Sequence, residues 1–469
     1  MLNIGVAKKQ INPKLSVPHA GWGAQTHVFA TGIEADFYTT AMIINAGPED
    51  TNGIADSEAV LIDVDAGLFV IEQSNLVREA VAAALGLSFG QIRLSVTHTH
   101  AGPCFWSDYY EEGKAANKEY FQFLLEQTVN AALEAKQNMK SVTMGAGVGA
   151  CSIGKNRRQL LDNGKTITGY NENGIADPDV GVLRFEDEAG EVVATIVHYS
   201  CHPTTLGYPY KLHSPDYPGI MKKAVEQATG GICLFLQGSA GNIGPGPEGF
   251  LANLTATRRM GAALGAVAMK VSLDIEAASF EHRFEGVVES GASLGIWHTS
   301  KKQTQSSFHM ITKKITLPLK KMLPLEEAQA TYQALEQELG RLQSNHADEE
   351  EIRKIAFQMK RAFLAWDTSN KYNGMSHSDI EVQLMSIGDA ALIGVPLEPF
   401  VEIGLSLKAK SPFRVTLFSG YANGHLGYLP IAEAYPQGGY EVETSPFLQG
   451  AAELFIEEVA AALVELHNL

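Results

Sequence analysis

The short apolar runs of this chain stop abruptly, and where they stop constrains the fold more than any other feature. Ala59–Ala66 (AVLIDVDA), Gln91–Val96 (QIRLSV) and Ile232–Leu236 (ICLFL) are too short for buried helices and read as strands. The first is bounded by a turn, and a helical pattern follows it from about Phe69 to Leu85. The second runs straight into Thr97-His98-Thr99-His100, and the third into a glycine-rich loop, Gly238–Gly246. Val180–Phe185 and Val192–Tyr199 flank Asp187-Glu188-Ala189-Gly190, a hairpin signal. Strands that feed loops and then helices predict an α/β protein, a layered core of mixed β-sheet covered by helices.

One stretch departs from this rhythm. From Leu325 to Trp366 the pattern is helical, with a break near Ser344-Asn345-His346. Tyr332, Leu335, Leu339 and Leu342 mark one apolar stripe; Ile352, Ile355, Met359 and Phe363 mark the other. An inserted antiparallel helical hairpin over 325–366 is expected, as a decoration or as a lid, within a single domain spanning residues 1–469.

Charge narrows the partners. With 36 Lys and Arg against 53 Asp and Glu, the chain carries −17, so phosphate backbones repel it and nucleic acid is excluded. The N-terminal MLNIGVAKKQINP has no apolar core of a signal peptide. No apolar stretch reaches membrane-spanning length, since Ala451–Leu469 is broken by glutamates, and no stable membrane insertion is expected. Cys104, Cys151, Cys201 and Cys233 form no CxxC pair, which suits reduced thiols and a cytoplasmic location. A small-molecule substrate is the partner this leaves, with homo-oligomer formation open.

The residues with chemistry sit where strands run out. In an extended chain His98 and His100 face the same side, so both imidazoles can converge on a metal, or the pair can simply be solvated. His202, held by Pro203 at the end of Val192–Tyr199, is a second imidazole that is either structural or a ligand. Adjacent Cys201 points the other way and is structural. Glu398, in GVPLEPF after a strand Ala391–Val395, supplies the kind of carboxylate that zinc hydrolases use, or caps a helix that contains Glu402. The Gly238–Gly246 loop matches neither a Walker loop nor GxGxxG, so it serves close backbone approach to a substrate or another loop rather than phosphate binding.

Taken in order, these motifs resemble the catalytic domain of the neutral/alkaline, non-lysosomal ceramidase family. IGVAKKQINP and AGWG resemble its opening, VTHTHAGP its HTHSGP segment, and HPTT its second-histidine motif. SIGKNRR is similar to its Asn-Arg element, QGSAGNIGP to its glycine loop, GVPLEPF to its glutamate motif, and YANGHLGYLPIAEAYPQGGYE to its tyrosine motifs. The resemblance implies a ceramidase-like fold and a zinc-dependent hydrolase that uses metal-activated water. By position it implies Zn²⁺ ligands at His98, His202, Glu398 and Tyr428, and supporting catalytic residues at His100, Arg157 and Tyr440. Arg158 is the neighbouring alternative to Arg157, with a surface charge as its ordinary role.

Two departures bear on the substrate. The family's loop carries a serine where this chain has Asn242-Ile243-Gly244-Pro245, and Ser239 lies five residues before Gly244. HTHSGPGG becomes His98-Thr99-His100-Ala101-Gly102-Pro103-Cys104-Phe105. The extra C-terminal β domain and export signal of ceramidases are also not expected here. Three functions remain in view: hydrolysis of an amide, ester or related polar bond of a small soluble substrate; zinc chemistry on a glycan or sugar derivative; and a binding protein with a vestigial zinc site.

Overall fold

The computed structural model describes residues 2–46, 58–105, 110–277, 280–301 and 307–469. Along the chain, β1 (Leu2–Gln10), β2 (Tyr38–Ala46) and β3 (Glu58–Val64) precede α1 (Ile71–Leu85), β4 (Ile92–Val96) and α2 (Lys114–Gln137). Then come β5 (Lys140–Ala150), β6 (Asp179–Glu186), β7 (Val192–Tyr199), α3 (Asp216–Thr229), β8 (Ile232–Gln237) and α4 (Leu254–Asp274). A hairpin of β9 (Phe280–Glu289) and β10 (Ser293–Lys301) follows, before β11 (Phe308–Pro318). After it come α5 (Leu325–Ser344), α6 (Glu349–Tyr372), β12 (His377–Ile387), β13 (Ala390–Gly394), α7 (Val401–Lys410) and β14 (Val415–Ser419). A short α8 (Tyr440–Thr444) and α9 (Ala451–His467) complete the order.

Two mixed sheets form the centre. The larger has the order β8-β7-β6-β5-β1-β2-β3-β4, and the smaller β11-β12-β13-β14. Within them β7–β8, β3–β4 and β13–β14 pair in parallel and their other neighbours antiparallel. One apolar core joins the inner faces of both sheets: Leu2, Ile44, Leu183 and Leu236 from the larger meet Met310, Met385, Leu392 and Leu417 from the smaller. Helices close the outside. α1 and α2 cover one outer part of the large sheet, α3 and α4 another, and α7 and α9 the outer face of the small sheet. The expected layered α/β core is therefore present, with a second sheet stacked inside it. Strands β3 and β4 are buried along their whole length because both faces are covered, which is why they read as unbroken apolar runs.

The hairpin α5–α6 interrupts β11 and β12, which pair from Phe308 opposite Ile387 to Pro318 opposite His377. Tyr332 stacks on Trp366 across it, with ring centroids 5.4 Å apart. α6 starts at an Asp348 cap on the Glu350 amide and runs six residues past Trp366. It ends where Gly374 takes φ +71°. Among the described residues no helix is long and apolar enough to cross a membrane.

The large sheet turns over on itself, so that β8 lies beside β3 and β4. Asp63 on β3 accepts from the Phe235 amide on β8 at 3.0 Å. The two edge strands of one sheet therefore end near one another, beside the ends of β13 and β14. A polar joint fixes the second pair to the first. Arg93, buried on β4, donates from Nη2 to the Gln383 carbonyl at 2.7 Å and the Leu392 carbonyl at 3.3 Å. Arg78 pairs with Glu381 at 2.7 Å. Asn423 accepts from the Leu94 amide at 2.9 Å and donates to Glu381 and Gln383 at 2.8 and 2.9 Å. Its φ of +60° is one that asparagine tolerates better than most residues. On the other side of the joint His198 donates from Nε2 to the Phe418 carbonyl at 2.9 Å, and Ser419 donates to the Gln237 carbonyl at 3.0 Å.

Asn423→Ala should lose stability twice over. It leaves the buried Leu94 amide without an acceptor, about 1–3 kcal/mol, and puts a Cβ-bearing residue with no local hydrogen bond at positive φ, about 1–2 kcal/mol. Asn423→Gly removes only the second penalty and should fall between Ala and wild type in urea unfolding. If both variants match wild type, Asn423 does not fasten the sheets.

Two buried histidines, His198 in this joint and His213 beside His19, make the fold respond to acid. Burial lowers the His198 imidazole to about 4, with Lys408 adding to the effect, and burial beside His19 lowers His213 to about 3. Both are neutral in the fold, and an unfolded chain takes up their protons near pH 6.5. Stability is therefore fully present above about pH 6.5 and lost as pH falls towards 4. His213→Leu should flatten the pH dependence of the unfolding free energy, read from urea titrations, by up to about 1.4 kcal/mol per pH unit. An unchanged slope would mean that His213 is not held neutral.

Candidate metal centre

Each element contributes to the site from the residue at which its strand stops. After β4 the chain turns sharply at His98, whose φ is +66°. The imidazoles of His98 and His100 therefore meet through a left-handed turn, not through the extended alternation expected from their spacing. Their rings stand at 90° with centroids 4.7 Å apart. Such a conformation costs on the order of 1–3 kcal/mol in a non-glycine residue and concentrates at functional sites. It is held by the His98 amide donating to the Ala66 carbonyl and by Thr99 donating to the Ser214 carbonyl. After β7, His202 is anchored by its amide to the Ile243 carbonyl, and the Pro203 carbonyl accepts from the His100 amide at 3.2 Å. Both histidine loops are thus tied to one another.

Side-chain hydrogen bonds then set the direction of each imidazole. His98 Nδ1 lies 2.6 Å from the Gly67 carbonyl and His202 Nδ1 2.5 Å from the Ala240 carbonyl. A carbonyl only accepts, so both Nδ1 atoms carry the proton and both Nε2 atoms face inward as lone pairs. Those Nε2 atoms are 3.2 Å apart, and His100 Nε2 is 3.1 Å from that of His98. Glu398 Oε2 lies 3.2 Å from His202 Nε2 and 3.7 Å from His98 Nε2. This buried oxygen accepts no hydrogen bond of good geometry among the described residues. Two lone pairs and a carboxylate oxygen facing each other without a proton repel, unless a cation lies among them. The donor set of neutral imidazoles and carboxylate suits a metal ion, and His98, His100 and His202 stand close enough together to hold one.

Electrostatics prepares the same state. Burial lowers His98 to about 3 and His100 well below the usual imidazole range; burial and then Arg157 lower His202. Burial alone would raise the Glu398 carboxyl, but His98, His202 and His425 outweigh it and hold it well below the usual range. The imidazoles are therefore neutral and the carboxylate charged, which is how each binds a metal.

Glu398 sits in a two-residue parallel ladder in which it pairs with Tyr428, so both side chains leave the ladder on one side. The loop Gly238–Gly246 packs beneath: the Gly241 amide donates to the Pro399 carbonyl at 2.8 Å. A Cβ at Gly241 would stand 2.6 Å from the Glu398 carbonyl oxygen, so only glycine fits there. The close approach expected of this loop is to another loop. Asn242 fastens it, accepting from the Val401 amide and donating to Glu402 in the first turn of α7.

Tyr428 accepts from Arg157 Nη2 at 3.1 Å, while Arg157 Nε pairs with Glu441 at 2.9 Å. Burial, then Glu398, pushes the Tyr428 phenol well above its usual range, and Arg157 opposes the shift. Arg158 is buried too, not on the surface. It binds the other Glu441 oxygen at 2.9 Å and the Gly438 carbonyl at 2.7 Å, which turns it away from Tyr428. Tyr440 stands nearly edge-on to Tyr428, centroids 5.7 Å apart, with the Arg361 guanidinium over its ring. His100 and Tyr440 are half-buried, whereas His98, His202, Glu398, Arg157 and Tyr428 are buried, so the first two mark the mouth. Trp22 borders it, donating from Nε1 to the His100 carbonyl at 3.1 Å.

Two further residues belong to this arrangement and carry no repeating signal in the sequence. The Tyr421 ring lies 4.3 Å from that of His98, at a φ of +55°. His425 lies 2.9 Å from Glu398 Oε1, leaving Oε2 to face the imidazoles. α6 steadies that loop: Lys371 donates to the His425 carbonyl and Tyr372 to the Leu426 carbonyl. A concavity of about 560 Å³ lined by Gln73, Phe105, Lys114 and Phe121 includes none of the converging side chains.

The neutral/alkaline non-lysosomal ceramidase N-terminal family model matches residues 2–253, more than half of the chain. The neutral ceramidase of Pseudomonas aeruginosa is 25% identical over 407 residues, 80% of this chain and 59% of that protein. The chain thus spans about three-fifths of that relative's length. A crystal structure of the Pseudomonas aeruginosa neutral ceramidase matches all of this chain and 75% of its own, with a TM-score of 0.67 at 20% identity. A ceramidase complexed with C2 gives 0.66 at 18% identity, covering all of this chain and 76% of its own. At such identities these structures speak for the fold, and with the match over residues 2–253 the chain belongs to the neutral/alkaline non-lysosomal ceramidase family.

Proposed function

We propose that this chain is a zinc-dependent hydrolase that opens an amide bond of a small, soluble substrate. In this reading His98, His202, Glu398 and Tyr428 hold the metal, and His100, Arg157 and Tyr440 act on the substrate. The observation that carries it is the meeting of two inward Nε2 lone pairs with a carboxylate oxygen and no proton between them. Ligands about 2.0–2.1 Å from a tetrahedral zinc lie about 3.3 Å from one another. The 3.2 Å separations of His202 Nε2 from His98 Nε2 and from Glu398 Oε2 suit that arrangement. Membership of a ceramidase family favours an amide over an ester.

A zinc ion bound there supplies Lewis acidity and lowers the pKa of a coordinated water towards about 7. The chain's own groups do the rest. Arg157, kept charged against Glu441, favours the phenolate form of Tyr428 and offsets negative charge that develops on a carbonyl oxygen beside it. Tyr440 offers a hydroxyl at the same mouth. His100, half-exposed and neutral, is placed to carry a proton to the departing amine. Trp22 covers the His100 side and restricts water.

Metal analysis should find about one zinc per chain, and His98→Ala and His202→Ala should both lose it. Retention of zinc by both variants would sink the ligand assignment. His100→Ala divides its two roles: retained zinc with kcat lowered about 10²–10³-fold supports a donor, as for loss of one positioned donor. Lost zinc makes His100 a ligand instead.

The substrate is tested separately. Gly244 leaves ordinary contact distances, 3.7 Å from its Cβ position to Arg157 Cβ and Cδ, so a serine would fit there sterically. Glycine thus removes a hydroxyl without reshaping the loop. Zinc-loaded protein should hydrolyse short N-acyl amides and act weakly on long-chain ceramide. Efficient turnover of long-chain ceramide would overturn the small-substrate reading, and sugar derivatives cleaved in preference to every amide would overturn the amidase itself.

A further inference from the structure

The hairpin β9–β10 forms a two-stranded sheet of its own, joined to neither large sheet. Every large apolar side chain described on it is exposed: Phe284, Val287, Val288, Leu294, Ile296 and Trp297, at 41–60%. Register places them on both faces. Phe284 pairs with Trp297, rings 5.4 Å apart, and Val287 with Gly295 on that same face. Val288 pairs with Leu294 on the other, beside Ile296. An isolated two-stranded hairpin is at best marginally stable in water and needs a third strand or a packing surface. This one exposes on the order of 600 Å² of apolar side chain on its two faces.

We propose that this arm is a dimerisation element, and that its occupant is the same arm of a second copy of this chain. The edges choose the partner. β9 is broken by a bulge between Phe284 and Gly286 and carries Glu281, Arg283, Glu285 and Glu289, the devices that blunt a sheet edge. β10 has continuous register, and Ser293–Ser300 contains no Asp, Glu, Lys or Arg. Among the described residues no strand pairs with its outer edge. Two β10 strands running antiparallel across a two-fold axis make a four-stranded sheet whose outer edges are both bulged β9 strands, so assembly stops at two. A lipid surface covers apolar side chains but leaves the edge amides and carbonyls in hydrocarbon without partners. A second arm satisfies one whole edge and sets Leu294, Ile296 and Trp297 beside their copies across the seam.

The arm also lies away from the metal centre. It leads into β11 at Phe308, which pairs with Ile387, the last residue of β12 and the partner of Ala390 at the start of β13, whereas Glu398 follows the far end of β13. The dimer leaves both mouths open.

Sedimentation of the full chain tests this. Wild type should run as a dimer, and Trp297→Lys and Ile296→Lys, one on each face, should each weaken association at least about a hundredfold. The four native cysteines are buried, so Leu294→Cys, Ile296→Cys and His298→Cys each introduce the reactive thiol on the arm. Copies should cross-link most at the position nearest the two-fold axis. A wild type that stays monomeric up to its solubility limit, or dimers that persist in both lysine variants, would overturn the proposal. So would a monomer that floats with phosphatidylcholine vesicles, which would give the arm to a lipid surface.

Discussion

Asn423 holds the Leu94 amide with its carboxamide oxygen and reaches Glu381 and Gln383 with its nitrogen, and the metal centre hangs on that connection. His98 and His202 come from the large sheet; Glu398, Tyr421 and Tyr428 come from the small one or the loops after it. Neither sheet holds a complete set. The apolar core between them fixes their spacing but is tolerant of sliding, because dispersion and burial are not directional. Directional bonds remove that freedom. Arg93 spans β4 to β12 and β13, His198 spans β7 to β14, and Asn423 stands between Leu94 on β4 and Tyr421 beside the histidines.

The same burial that strengthens the joint sets the protonation of the site. A buried imidazole whose proton is bound to a backbone carbonyl stays neutral, and a carboxylate bonded to a neighbouring ring, as Glu398 is to His425, is favoured in its charged form. Here backbone carbonyls take the Nδ1 protons of His98 and His202, so the inward atoms have none to give each other. The orientation comes from backbone carbonyls that belong to the fold itself, and His425 on Glu398 extends it outward.

Much of this was legible in the sequence, and the exceptions have physical reasons. β3, β4 and β8 are continuous apolar runs because both their faces are covered, and the hairpin turn between β6 and β7 carries its own Asp and Gly. β5, KSVTMGAGVGA, is glycine-rich and reads poorly as a strand. Its glycines are needed because Ile275, or Val271 on α4, packs within 2.3–2.8 Å of where Cβ atoms at Gly145, Gly147 and Gly149 would sit. The stacking of a second sheet left no local mark, since an inward strand face looks alike whether a helix or a sheet covers it. At the site, strand ends pointed to His98, His202 and Glu398. Tyr421 and His425 lie in a loop shaped by positive φ at Tyr421 and Asn423, and no periodicity marks such a loop. Nor could spacing separate Arg157 from Arg158: both are buried on Glu441, and only the three-dimensional position of α8 decides which reaches Tyr428.

The departures from the family's motifs fall on particular positions. Those that set the inward atoms are filled, and the carbonyls of Gly67 and Ala240 that orient them are backbone groups, which substitution leaves in place. Gly244 stands at the next layer, against Arg157, where a side chain would alter which donors face a substrate without disturbing any inward atom. Metal chemistry requires several groups at once, so a change in any one is costly. Trp22 and Arg361 stand outside that set, at the mouth beside His100 and Tyr440. Gly244 therefore lies in the layer that would face a substrate, not among the inward atoms.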